Sequence, residues 1–104
     1  MASMRRAALL LSLQRALLCN VHVELRQASI EADDGKRLVR VRFEYDASPS
    51  KVCRECCSIA ASEVAADIDQ GWQVSEEHAE VPWPQDLSPL ANLAYARWEA
   101  SRAA

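Results

Sequence analysis

The segment Arg37–Asp46, RLVRVRFEYD, alternates between apolar and polar side chains along its length. One side carries Val39, Val41, Phe43 and Tyr45, and the other carries Leu38, Arg40, Arg42 and Glu44. A period of two is typical of a β-strand that buries one face. The stretch Leu25–Ala32 alternates less regularly, and the DDGK sequence of Asp33–Lys36 has a turn-forming Asp-Gly pair at its centre. The sequence therefore predicts an antiparallel hairpin over residues 25–46.

A helix is predicted upstream of the hairpin, over residues 4–19, where MRRAALLLSLQRALLC is rich in good helix formers. Leu10, Leu13 and Leu17 share one face of this helix, whereas Leu11 and Leu18 lie on an adjacent face. This apolar arc is wider than one contact with a sheet needs. The second face is therefore either sandwiched within the fold or available for a homodimer through Leu11 and Leu18.

A second helix is predicted downstream of the hairpin, over residues 49–68. Ser48 is a suitable N-cap, and Pro49 suits the first helical position. Mostly small residues form the predicted core stripe, which consists of Cys53, Cys57, Ala60, Val64 and Ile68. Such a stripe allows the helix to approach a sheet closely.

The remainder of the chain is predicted to form two more strands. Residues 72–81 follow Gly71 and form the third strand, with a bulge where the polarity pattern shifts. Three prolines between residues 82 and 89 indicate a connection, because proline cannot donate to a sheet ladder. Residues 93–99, LAYARWE, are predicted to pair with the third strand, although their alanines also suit a helix.

The element order α-β-β-α-β-β predicts an α+β fold with two layers. Two hairpins form a four-stranded antiparallel sheet, and both helices pack on its apolar face, which leaves Arg40 and Arg42 exposed to water. The length of 104 residues suits a single domain over residues 1–104.

Charge and hydropathy narrow the possible functions. The net charge is −3, and it is divided into +3 over residues 1–45 and −6 over residues 46–104. The acidic half favours a basic protein partner and argues against nucleic acid. The longest apolar run, Ala7–Leu11, is too short to span a membrane. Gln14-Arg15 interrupts the segment that an export signal would need, so the sequence predicts a cytoplasmic protein without a membrane partner.

The cysteines and histidines allow two interpretations. Cys53, Cys56 and Cys57, together with Cys19-x-x-His22, have the composition of a zinc site or a redox centre. However, Cys53 lies about one turn inside its predicted helix, on the core stripe, rather than at the N-terminus where a reactive thiol is favoured. Core packing of reduced thiols is therefore the preferred interpretation, with no metal, no cofactor and no catalytic residues expected.

Carboxylates cluster where the second helix ends and the third strand begins. Asp67 and Asp69 close the helix, where negative charge opposes the helix dipole. This placement favours a role in binding over a role in local stability. Trp83, between two prolines, provides a rigid aromatic anchor. The predicted partner-binding residues are Asp67, Asp69, Glu76, Glu77, Glu80, Trp83 and Asp86.

Several stretches together resemble a family of small bacterial proteins. They are residues 15–46, RALLCNVHVELRQASIEADDGKRLVRVRFEYD, the helix over residues 58–67, the acidic strand, and residues 84–99, PQDLSPLANLAYARWE. These resemble immunity proteins of contact-dependent growth inhibition and related polymorphic toxin systems, over nearly the whole chain. The family pattern has glycine where this chain has Cys19 and Ala47.

The resemblance implies a non-catalytic protein that binds one cognate toxin domain and blocks its active site. Combined with the acidic second half of the chain, it predicts a basic toxin, such as a nuclease. Two alternatives remain open at this point. One is a small metal or redox module based on Cys53, Cys56 and Cys57, and the other is a homodimeric structural adaptor.

Overall fold

A computed structural model describes residues 5–100 of the chain. Its elements are helix α1 (Arg6–Leu17), strand β1 (Leu25–Asp33), strand β2 (Leu38–Tyr45), helix α2 (Lys51–Asp67), strand β3 (Gln73–Glu80) and strand β4 (Asn92–Ala96). The predicted start of the first helix at Met4 lies outside the described residues, as do the last four residues of the predicted domain. In the described part of the chain, neither helix is long and apolar enough to cross a bilayer.

The sheet has the strand order β3-β2-β1-β4, and it is mixed rather than antiparallel. The predicted hairpin is present, with Ile30 opposite Val41 in an antiparallel β1–β2 pair. Strand β3 instead runs parallel to β2, with Val41 beside Glu76. The prediction of an antiparallel sheet was wrong because α2 connects β2 to β3 as a crossover helix, and such a helix returns the chain to the same end of the sheet.

The predicted pairing of the third and fourth strands is also wrong. Strand β4 pairs antiparallel with β1, so that β3 and β4 lie at opposite edges of the sheet. Residues 81–91 carry the chain across two intervening strands, a distance of about 14 Å at the usual strand spacing. Strand β4 ends at Ala96 rather than at residue 99. The bulge predicted in β3 is not there; instead, the register shifts once between β1 and β4 and once near the start of β1, where it pairs with β2.

Both helices pack on the face of the sheet that carries Val39, Val41, Phe43 and Tyr45, and all four side chains are fully buried. From α2, the buried residues Cys53, Cys57, Ala60 and Val64 match the predicted stripe, and Ile68 is partly buried. From α1, Leu13 and Leu17 are buried as predicted, whereas Leu9 is more deeply buried than Leu10. Leu11 and Leu18 are 53% and 70% exposed, so the described fold does not cover them.

The opposite face of the sheet is covered by the segment between β3 and β4. Its backbone N–H groups donate to polar side chains of the two central strands: Ser88 N to Glu44 Oε2 at 2.7 Å, Leu90 N to Ser29 Oγ at 2.9 Å, and Ala91 N to Glu31 Oε1 at 3.1 Å. As a result, Ser29 and Glu44 are completely buried. The expectation that this face is exposed to water holds only in part. Arg40 and Arg42 are half-buried and form ion pairs, Arg40 with Glu31 and Glu77 and Arg42 with Glu77.

A buried ion pair attaches the C-terminal residues to β1. Arg26 lies at the bulge in β1 and donates to both carboxylate oxygens of Glu99, at 2.7 and 2.9 Å. Its remaining nitrogen donates to the carbonyls of Val81 and Gln85, which fixes the start of the crossing segment. Both charged side chains are almost completely buried, so each depends on the other to offset its desolvation.

The two positions where the family pattern has glycine adopt the left-handed conformation. Cys19 has φ 65° and Ala47 has φ 64°. A non-glycine residue is strained there because its Cβ atom crowds the backbone. The first position ends α1 at Leu17 rather than at the predicted residue 19, and Asn20 Nδ2 caps the helix by donating to Ala16 O at 2.9 Å.

Helix α2 begins at Lys51, two residues later than predicted, and its N-cap is Ser50 rather than Ser48. Ser50 Oγ accepts a hydrogen bond from Cys53 N at 3.1 Å. The Glu24 carboxylate, which lies just before β1, accepts hydrogen bonds from both the backbone N–H and the hydroxyl of Ser50. This contact favours Ser50 over Ser48 as the N-cap.

Replacement of Leu13 by Ala is expected to lower the free energy of unfolding by about 2–5 kcal/mol, because Leu13 is fully buried and the change leaves a cavity. The matched change Leu11→Ala on the exposed face of the same helix should stay within about 0.5 kcal/mol. Urea unfolding followed by circular dichroism provides the measurement. Equal losses for both variants would show that Leu11 is buried in solution.

Replacement of Glu99 by Ala is expected to lower the free energy of unfolding by about 3–5 kcal/mol, because it leaves the Arg26 charge buried and unpaired. Glu80→Ala is the matched control, since this exposed carboxylate has no ion pair in the described chain, and it should change stability by less than about 0.5 kcal/mol. Chemical denaturation distinguishes the two. A small effect of Glu99→Ala would mean that the C-terminal attachment is dispensable.

Candidate partner-binding surface

The three glutamates of β3 point to different faces of the sheet. In the parallel pair, Glu76 is beside Val41 and Glu80 is beside Tyr45, so both lie on the face that carries the helices. Glu77 is beside Arg42 and lies on the opposite face. The structure therefore does not place all five predicted carboxylates on one surface, because Glu77 lies on the other face of the sheet from Glu76 and Glu80.

Glu77 is engaged in an ion-pair network. Arg40 Nε donates to Glu77 Oε2 at 2.7 Å, and Arg42 Nη1 donates to Glu77 Oε1 at 3.2 Å. Arg40 also donates to Glu31 at 3.0 Å. The hydrogen bond from Arg40 lowers the pKa of Glu77, with a further contribution from Arg42. Because two guanidinium groups already neutralise this carboxylate, it adds little negative charge for a partner.

The predicted residues at the end of α2 lie far from those at the end of β3. Asp67 is exposed and pairs with Arg15 at 3.3 Å, and Asp69 is exposed without an ion pair among residues 5–100. Both are near the start of β3, whereas Glu80 is its last residue. An eight-residue strand is about 23 Å long, so the negative charges are distributed along one side of the molecule.

Glu76 belongs to a hydrogen-bond network that the sequence did not indicate. Tyr45 Oη is 2.6 Å from His78 Nδ1, His78 Nε2 is 2.6 Å from Glu76 Oε2, and Ser58 Oγ donates to Glu76 Oε2 at 2.8 Å. The imidazole ring also stacks on Phe43 and Tyr45. This network joins β2, β3 and α2.

The protonation of this network follows from burial. Desolvation raises the pKa of the Tyr45 phenol far above its ordinary value, so the phenol keeps its proton. When the phenol donates to His78 Nδ1, the ring Nε2–H is left to donate to the Glu76 carboxylate. The arrangement resembles an acid–base relay in composition, but both ring nitrogens of His78 are already paired within the fold. It is suited to fixing the orientation of Glu76 at the surface.

The cysteines occupy two environments. Burial raises the pKa of Cys53 to about 12 and also raises the pKa of Cys57, so both remain thiols and pack in the core. Cys56 is partly exposed, with its Sγ atom 3.4 Å from His22 Nε2. Among residues 5–100, no group of three or more potential ligand side chains is arranged to hold a metal ion.

A shallow, open groove runs along the outward face of α2, and all of its lining residues belong to this helix. Its volume is about 580 Å³, and it is lined by Glu55, Ser58, Ile59, Ser62, Glu63 and Ala66. Ile59 is half exposed, and Glu63 has no ion pair within the described chain. We call this groove, together with Asp67, Asp69, Glu76 and Glu80, the α2–β3 surface. In the sequence, the groove could have been expected from the small residues Ser58, Ser62 and Ala66, which recur every four positions along one face of the helix.

The two predicted residues of the crossing segment lie outside the α2–β3 surface. Trp83 is 45% exposed and, with Val23 and Trp98, lines a depression of about 400 Å³ near the end of β2. Its backbone N–H donates to Asp46 Oδ1 at 2.9 Å. Asp86 is exposed on the side of the molecule opposite the helices, beside Arg26 and Gln27. Trp98 is 77% exposed and was not among the predicted partner-binding residues.

Acid is expected to destabilise the fold partly through Glu77. Folding lowers the pKa of Glu77 below its ordinary value of 4.5. The ionised Glu77 carboxylate therefore stabilises the fold fully above about pH 4.5, and this stabilisation is lost as the pH falls through the pKa of Glu77 in the folded state. Glu77→Gln should make the loss of stability below pH 4.5 shallower, although not flat, because the pKa values of Glu24 and Asp46 are also lowered. Urea unfolding across pH 2–7 measures this. Glu63→Gln, which removes an exposed carboxylate without an ion pair in the described chain, serves as the control.

Comparisons with known proteins address the identity of the chain. A search of curated proteins finds no match to it. The family model described as MafI2 immunity protein matches residues 6–99, which is nearly the whole chain and all six elements of the fold. The resemblance to bacterial immunity proteins of polymorphic toxin systems is thereby confirmed. The chain belongs to the MafI2 immunity protein family.

Proposed function

We propose that this protein is a non-catalytic, cytoplasmic immunity protein that binds a basic, nuclease-type toxin domain and blocks its active site. Membership of the family supports the neutralisation of a toxin. The charge of the α2–β3 surface supports the basic character of the partner. Delivery of that toxin by contact-dependent growth inhibition is part of the same proposal.

The observation that carries the proposal is the set of carboxylates on the α2–β3 surface that lack an ion pair in the described part of the chain. Glu63, Asp69 and Glu80 have no ion pair in the described part of the chain, so their charge is available to a partner. Enzymes that cleave nucleic acids use cationic sites to bind phosphate. An acidic surface competes for such a site, and it also accelerates the encounter with it.

Affinity needs apolar contacts as well as charge. Ile59 lies in the groove, and Trp83 lies three residues after Glu80, at the same end of the sheet. Side chains of this kind carry most of the binding energy in protein interfaces, whereas surrounding charges set the association rate. We propose that Asp67, Asp69, Glu76, Glu80 and Trp83 contact the toxin, and that Glu77 and Asp86 lie outside the contact.

The polar networks support a binding role over catalysis. Both ring nitrogens of His78 are hydrogen-bonded inside the fold, to Tyr45 and Glu76, and the buried thiols of Cys53 and Cys57 are protonated. A nucleophilic or metal-binding thiol needs the deprotonated form. The homodimer through Leu11 and Leu18 stays a prediction, and sizing chromatography addresses it.

The experiment uses the purified toxin domain encoded beside the gene for this chain. The double variant Glu63→Lys/Glu80→Lys should slow association by about 3- to 10-fold at low salt and flatten its salt dependence, because it removes attractive charge from the proposed interface. Stopped-flow kinetics across a salt series provides the rates, and circular dichroism checks folding.

The matched control is Asp33→Lys/Asp86→Lys, which makes the same change in net charge away from the α2–β3 surface. It should alter the association rate by less than about twofold. If the control slows association as much as the test variant, the docking surface is elsewhere. If the wild-type protein neither binds nor inhibits the toxin domain, the proposed function is wrong.

A further inference from the structure

Strand β3 forms an open edge of the sheet. It is the outermost strand in the order β3-β2-β1-β4, and it pairs with β2 over eight residues without a register shift. Within residues 5–100, no other strand pairs with its outer side. Natural sheets shield such an edge with proline, a bulge, a very short strand or charged side chains, and of these β3 has only the charge of its three glutamates.

The hydrogen bonds that bracket β3 identify its outward-facing backbone groups. Gln73 N donates to Arg37 O at 3.0 Å, and Val81 N donates to Tyr45 O at 2.8 Å. In a parallel ladder, both polar groups of every second residue point to the same neighbour. Residues 73, 75, 77, 79 and 81 therefore bond to β2. The N–H and C=O groups of the alternate residues point outward, and these residues are Val74, Glu76, His78 and Glu80.

The space beside this edge is shaped to accept side chains of an added strand. A recess of about 150 Å³ lies between α2 and β3, and it is lined by Ala61, Ser62, Ala65, Val74 and Glu76. The small residues of α2 keep the recess open, and the Glu76 carboxylate lies at its margin, oriented by Ser58 and His78. This combination fits a long side chain that ends in a positive charge.

Charge selects the strand that can occupy the edge. Pairing with β3 of a second copy would bring six glutamates of two strands together, and like charges on adjacent strands repel. A strand with Lys or Arg residues meets Glu76 and Glu80 on the helix side instead. The opposite edge is less suitable, because β4 has only five residues and a register shift against β1.

We propose that the toxin domain adds a basic β-strand to the outer edge of β3, with main-chain hydrogen bonds to Val74, Glu76, His78 and Glu80. A Lys or Arg side chain of that strand enters the recess and pairs with Glu76. This inference rests on the proposed function, which it deepens by naming the mode of docking. Strand addition gives affinity through the backbone and specificity through alternate side-chain contacts.

The first test is amide hydrogen exchange, read by NMR, on the free protein and on its complex with the toxin domain encoded beside its gene. In the free protein, the amides of Val74, Glu76, His78 and Glu80 should exchange rapidly, whereas those of Ser75, Glu77 and Ala79 are protected by β2. In the complex, the four outward amides should slow at least about tenfold, because they acquire acceptors. A complex in which they still exchange rapidly would overturn the inference while leaving the proposed function intact.

The second test compares Glu80→Pro with Glu80→Ala. Both remove the same charge, but only proline removes the outward N–H and places a ring where the added strand must approach, and proline is tolerated at an edge. Glu80→Pro should weaken binding at least about tenfold relative to Glu80→Ala, with matched urea midpoints.

Equal affinities of these two variants would overturn the inference. Concentration-dependent protection of the same amides without the toxin domain would also overturn it, because the occupant of the edge would then be a second copy of this chain. If no complex forms under any condition, the proposed function fails, and this inference fails with it.

Discussion

The polar face of β1 and β2 determines how the rest of the chain is arranged. Ser29, Glu31 and Glu44 accept hydrogen bonds from the backbone of residues 88–91, and this holds the segment between β3 and β4 flat against the sheet. A carboxylate buried as deeply as Glu44 is tolerated only when it is hydrogen-bonded. The crossing segment provides those donors. Its path carries the chain to the far edge, so β4 pairs with β1 and β3 remains at the opposite edge.

This arrangement separates a closed side of the sheet from an open one. On the β1–β4 side, the Arg26–Glu99 pair and the hydrogen bonds of Arg97 to Val23 and Asp46 attach the end of the described chain. On the β3 side, within the described residues, α2 carries the groove on its outward face and meets the edge strand at a recess lined by small residues and Glu76. The rigid part of the fold thus supports an exposed acidic side.

The position of each carboxylate decides whether its charge is available to a partner. Glu77 and Glu76 are adjacent in sequence, yet one is neutralised by Arg40 and Arg42 and the other is held at the surface by Ser58 and His78. Adjacent residues of a strand point to opposite faces, so a cluster of acids in the sequence does not define a cluster in space. The proposed partner-binding surface combines Glu63 on a helix with Glu80 on a strand.

Patterns within single segments of the sequence account for the local elements and the main core of this protein. Alternation in β2 and the helical spacing of Cys53, Cys57, Ala60 and Val64 are properties of single segments, and burial follows them closely. The direction of β3, the partner of β4 and the choice of Ser50 as N-cap depended on contacts between segments far apart in the chain, such as Glu24 with Ser50. Arg26 and Glu99 gave no local signal either, because they are 73 residues apart and each looks like an ordinary surface charge. Which acids lack an ion pair in the described chain, and which strand edge is open, follows from the folded arrangement, because both depend on the hydrogen-bond partners that folding brings together.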